Sequence, residues 1–91
     1  MSISIQIPTA LRPDCGGASE LCLSASTVRA ALDQLEESHP ALYRSVCDET
    51  GAVRQHVNLF VNDSLVDRRE GLNSALKPGD VLTIMPAVSG G

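Results

Sequence analysis

The apolar residues of this 91-residue chain alternate by two near both ends and fall into a helical period in only one stretch. In SISIQIP, Ile3, Ile5 and Ile7 point one way and Ser4 and Gln6 the other, which predicts a strand with one wet side. SELCLS alternates again, Leu21 and Leu23 opposing Glu20 and Cys22. Between them RPDCGG holds a proline and two glycines, so a turn is expected and the two strands make a hairpin. Further on, HVNLFVND turns Val57, Leu59 and Val61 inward and Asn58, Phe60 and Asn62 outward. DVLTIMP sets Leu82 and Ile84 against Thr83 and Met85.

The helical stretch is SASTVRAALDQLEESHP, where Val28, Ala31, Leu32 and Leu35 fall at i, i+3, i+4 and i+7 on one stripe. Ser26 is the expected N-cap, because a hydroxyl there accepts an orphan amide of the first turn. Pro40 closes the segment, since the residue before a proline is pushed out of the helical region. From Ala41 to Arg54 the pattern fades into an irregular connection, with a short turn of helix at Ala41 to Val46. Asn62-Asp63 suits a tight turn into a short strand around Leu65 to Asp67, and Pro78-Gly79 is the type II turn pair. Strand, strand, helix, strand, short strand, strand is the order of an α+β, ubiquitin-like β-grasp domain. A mixed sheet of four to five strands is expected, with one long helix packed on one face. The domain spans residues 1–85; Pro86, which cannot donate to a ladder, should end the last strand and start an extended tail over 86–91.

Composition limits what such a domain does. There is no Trp, one Phe (Phe60) and one Tyr (Tyr43), so the core is aliphatic. Eleven acidic against seven basic residues give a net charge of −4, and the bases are not clustered, which argues against a nucleic-acid surface. A charge-guided partner would present a basic face. No run approaches the ~20 apolar residues of a membrane span and no signal pattern opens the chain, so no membrane partner and a cytoplasmic location are expected. Cys15, Cys22 and Cys47 are odd in number and lack a C-x-x-C, so neither a disulfide framework nor a metal site is expected. His39 and His56 have no Ser or Cys partner at a recognisable spacing, Arg68-Arg69 reads as a solvated pair, and Gly16-Gly17 is turn chemistry. No residues are assigned as catalytic.

Together, VNLFVND, L-K-P-G-D, the alternating strand and the closing PAVSGG resemble the ubiquitin-like sulfur-carrier family of the MoaD/ThiS type. Its members include the small subunit of molybdopterin synthase and the thiamine-pathway carrier. IPTALRPDCGG resembles a narrower branch, the carriers linked to cysteine synthases. The resemblance implies a protein co-substrate, not an enzyme. An activating enzyme resembling ubiquitin's E1, using ATP and Mg, would convert the Gly91 carboxylate to an acyl adenylate and then a thiocarboxylate. The carrier itself would bind no cofactor. A sulfur-accepting synthase, cysteine-synthase-like or another biosynthetic enzyme, would then take the sulfur, with a recycling peptidase as a further candidate partner.

The chemistry suits the residues. A carbonyl on Gly91 has no Cβ to hinder attack, and Gly90 adopts whatever dihedrals a narrow channel demands. Val88, Ser89, Gly90 and Gly91 are the residues expected to enter the activating enzyme's channel. The open sheet face offers Phe60 and Met85 with Thr83 between them, a candidate docking patch. Three alternatives stay open at this point. These are the small subunit of molybdopterin synthase, a protein modifier conjugated through Gly91, and a non-covalent binding module, the last opposed by the acidic charge.

Overall fold

The computed structural model describes residues 2–67 and 71–86. Strands β1 (Ile3–Gln6) and β2 (Glu20–Leu23) pair antiparallel, Ile3 opposite Leu23 and Ile5 opposite Leu21. The connection between them is longer than a turn. It is a 3₁₀ segment, Thr9–Cys15, closed by Gly16 and Gly17, both at positive φ. Pro13 is accommodated inside it, and Gly17 N–H donates to the Arg12 carbonyl at 2.7 Å.

Helix α1 (Val28–Ser38) buries Val28, Ala31, Leu32 and Leu35, the predicted stripe. Its N-cap is Thr27 rather than Ser26: the Thr27 hydroxyl accepts the Ala30 amide at 3.1 Å. Ser26 serves the neighbouring segment instead, its carbonyl accepting the Leu76 amide at 2.8 Å. The expectation of one long helix is also corrected. Pro40 does end α1, but it opens a second helix, α2 (Pro40–Val46), at a first-turn position where its missing N–H leaves nothing unsatisfied. Leu42, Tyr43 and Val46 bury α2 against the same core.

Strand β3 (Val57–Val61) pairs antiparallel with β4 (Ser64–Leu65) and with β5 (Val81–Pro86). β4 starts and ends earlier than predicted, because Asn62 at φ 54 and Asp63 alone make the turn and set Val61 opposite Ser64. β5 also runs parallel to β1, giving the sheet order β2-β1-β5-β3-β4. That mixed sheet, with helices over one face, is the β-grasp fold. Pro78-Gly79 makes the turn before β5, with Gly79 at φ 88 and the Asp80 amide donating to the Lys77 carbonyl at 3.0 Å. The core between sheet and helices is aliphatic apart from Tyr43 and the thiols of Cys15 and Cys47; Ile5, Leu32, Leu35, Leu42, Leu82 and Ile84 are its largest fully buried side chains.

Candidate functional site

β5 is the last element before the terminal glycines, and it lies between β1 and β3. Leu82 is paired with Ile5 on one side and Val61 on the other, and Leu82 and Ile84 are fully buried. Pairing with β1 stops at Gln6 opposite Thr83, whereas pairing with β3 continues to Val57 opposite Pro86. Pro86 therefore belongs to the strand by its backbone pairing, one residue beyond the expected domain boundary. The predicted channel residues Val88, Ser89, Gly90 and Gly91 lie outside the described residues, as does Arg68-Arg69.

The sheet face away from the helices reads across all five strands in one row: Glu20, Gln6, Thr83, Phe60, Leu65. Its β2–β1 half is polar, with the Gln6 side-chain amide donating to the Glu20 carboxylate at 2.6 Å. Its β5–β3–β4 half carries the apolar side chains of Met85, Phe60 and Leu65 beside Thr83 and Asn58. Met85 is 51% exposed, and Phe60 and Thr83 are half-buried as the pleat of half-covered strands requires. The predicted trio of Phe60, Thr83 and Met85 thus shares one place. With Asn62 and Asp63 they line a shallow depression of about 250 Å³.

Leu65 was missing from the predicted patch. It is 63% exposed and sits opposite Phe60. The signal was present: a two-residue turn at Asn62-Asp63 pairs 61 with 64, and hence 60 with 65, which puts Leu65 on Phe60's face.

Two turns are locked beside the patch. Asn62 donates through Nδ2 to Asp80 Oδ1 at 3.2 Å and accepts the Val81 amide on Oδ1 at 3.0 Å. The Lys77 amide donates to Asp80 Oδ2 at 2.8 Å. That amide, followed by the Asn62 side chain, holds the Asp80 carboxyl below the ordinary carboxylate range. The β3–β4 turn and the start of β5 are therefore fixed to one another.

Among the described residues, the other singled-out side chains do not converge on a common point. Cys47 is buried, and desolvation pushes its thiol up to about 11, away from the reactive thiolate. Cys15 is buried with its S–H directed at the Arg12 and Ala18 carbonyls, and Cys22 is exposed on β2. His39 Nδ1 lies 3.0 Å from Ser38 Oγ, but that hydroxyl donates to the Gln34 carbonyl at 2.8 Å, one turn back on α1. His56 is exposed. Among the described residues no group of three or more His, Cys, Asp or Glu could hold a metal ion. No helix among them is long and apolar enough to cross a membrane.

The model of the ThiS family matches residues 5–91. The sulfur carrier protein CysO of Mycobacterium tuberculosis is 37% identical over 93 aligned residues, which cover all of both chains. The crystal structure of the Amycolatopsis orientalis BexX/CysO complex matches with a TM-score of 0.86 at 35% identity, over 98% of this chain and 99% of that one. SAMP1 from Haloferax volcanii, a small archaeal modifier protein, matches with a TM-score of 0.83 at 30% identity, over 100% of each chain.

Proposed function

The chain belongs to the ThiS family, and on that premise we propose that it is a sulfur carrier protein whose Gly91 carboxylate cycles through a thiocarboxylate. The observation that carries the proposal is that the family match runs through Gly91 itself, on a chain 37% identical over its whole length to a sulfur carrier.

A free carboxylate is a poor acyl donor, since its charge repels nucleophiles and its leaving group would be oxide. Activation by an E1-like enzyme solves both difficulties. A Gly91 oxygen attacks the α-phosphorus of ATP, with Mg supplied by that enzyme, and pyrophosphate leaves. Sulfide then attacks the acyl carbon, the C–S bond forms, the C–O bond breaks and AMP departs with the electron pair. The product is a soft nucleophile tethered to a protein, a donor for the synthesis of cysteine or another sulfur-containing metabolite. In this scheme the chain is a co-substrate. Its own residues do two things: Val88 to Gly91 present the carboxylate, and the Phe60, Thr83 and Met85 patch, extended by Leu65, docks the enzyme. The complex of the 35% identical CysO with BexX supports a protein partner for this chain as well, such as a sulfur-accepting synthase. A peptidase that restores the free Gly91 carboxylate would complete the cycle.

Intact-protein mass spectrometry tests this directly. Incubation with the activating enzyme, MgATP and a sulfur source should replace one oxygen by sulfur at Gly91. A chain lacking Gly91 should show no such gain. A wild-type chain that stays unmodified with its own cell's activating enzymes would overturn the proposal.

A second reading, conjugation to other proteins through Gly91, is favoured by the match to the small archaeal modifier protein over all of both chains. It predicts isopeptide-linked adducts in cells that vanish when Gly91 is deleted. The likeness to a putative molybdopterin converting factor subunit from Pyrococcus furiosus, at 21% identity, concerns the fold alone.

A further inference from the structure

The docking face has a sign as well as a shape. Asp63 lines the same depression as Phe60, Thr83 and Met85, and Glu20 closes the opposite end of the cross-strand row that runs through Thr83 and Phe60. Both residues are exposed.

The described cations lie elsewhere. Arg12 belongs to the 3₁₀ segment and donates through Nε to the Ile7 carbonyl. Arg29 on α1 donates to the Gly51 carbonyl, and Arg54 to the carbonyl of Arg44 on α2, all on the helix layer or its flank. Lys77 lies in the turn before β5, where its charge acts on Asp80 rather than on Asp63 or Glu20. No arginine or lysine occupies the open-face row or its neighbours Ser4, Cys22, Asn58 and Met85.

We propose that Asp63 and Glu20 form an acidic rim around the apolar patch and guide it onto an apolar seat bordered by arginine or lysine on the activating enzyme. This rests on the docking role proposed above and adds the partner's chemistry. A second copy of the chain is the poorer occupant. Stacking two such faces would bring like-charged rims together, on molecules that each carry −4. Exposed rim charges act at long range on encounter, while the apolar centre sets residence time. The two contributions therefore separate kinetically.

The test measures association and dissociation of the full-length chain with its own cell's activating enzyme at about 0.02 and 0.15 M ionic strength. For the double variant Asp63→Asn, Glu20→Gln the association rate constant should fall about three- to tenfold at the lower ionic strength. The loss should shrink at the higher one, and dissociation should change less than about twofold. Phe60→Ala, run beside it, should speed dissociation instead. An unchanged association rate in the double variant, with Phe60→Ala still weakening the complex, overturns the rim alone. If Phe60→Ala has no effect either, the docking face itself is wrong and the rim falls with it. Matching unfolding midpoints for the variants confirm that the comparison is between folded proteins.

Discussion

A methyl group on Gly71 would lie 2.7 Å from Val66 Cγ1 and 3.2 Å from the Val66 carbonyl carbon. The second neighbour is backbone and cannot rotate away. The Gly71 amide is also engaged, donating to the Asp67 carbonyl at 2.9 Å, so the short 3₁₀ turn Gly71–Asn73 cannot slide outward without breaking that bond. Gly71→Ala should destabilise the fold by about 1–3 kcal/mol, as overpacking does. Urea unfolding measures this, and a change under about 0.5 kcal/mol would show that Val66 yields. The residue scale is also where sequence was least informative. Nothing in GLN announces the Val66 contact, because the clash depends on where β4 turns back. Similarly Ser26 and Thr27 are adjacent hydroxyls of nearly equal capping propensity. The choice falls to Thr27 because the pairing of this segment with residues 74–76, some fifty positions further along, sets where the helix begins, at Val28, and so makes Thr27 the residue before it.

At the level of elements, periodicity did most of the work. β1, β2, β3, β5 and α1 each carry a repeat of two or 3.6 that survives in their buried faces, and the Pro78-Gly79 turn follows from local dihedral preference alone. α2 was only partly legible: a seven-residue segment, PALYRSV, is too short to show a stripe, and Pro40 reads equally as a stop or a start. The grouping of Phe60, Thr83 and Met85 on one face was legible for the same reason as the strands, since outward residues of alternating strands share a face. Leu65 escaped because it needs pair register rather than period. Asp80 is the element-level device that holds this register, tying the β3–β4 turn to the start of β5. Its pKa is lowered in the folded state, so its contribution to stability is complete above the unfolded value of about 3.9 and is lost as pH falls through the lower folded value. Asp80→Asn should therefore be less stable than the wild type near neutral pH, and the gap should narrow as the buffer is taken below pH of about 4. Unfolding curves recorded across the acid range would show it; a gap independent of pH would mean that shape rather than charge holds the two turns.

For the whole molecule, the function proposed above puts the chemistry beyond Pro86, while the described packing lies before it. Among the described residues, β5 is fixed by its two flanking strands, by buried Leu82 and Ile84, and by the Asp80 anchor. The group proposed to react is five residues later in the chain. Under the proposed function, modification at Gly91 should leave folding unchanged, so that both forms of the carrier present the same face to a partner. Deleting Gly91 should leave the unfolding free energy within about 0.5 kcal/mol of the wild type, as for a substitution away from packed features, while abolishing thiocarboxylate formation. Ile84→Ala should do the reverse, costing about 2–5 kcal/mol through the cavity it leaves, with charging reduced only by the fraction of chain that is unfolded. Urea unfolding and the charging assay on both variants separate the two properties. A Gly91 deletion that lowered stability by as much as Ile84→Ala would place the terminal residue within the packed domain, and the division at Pro86 would fail.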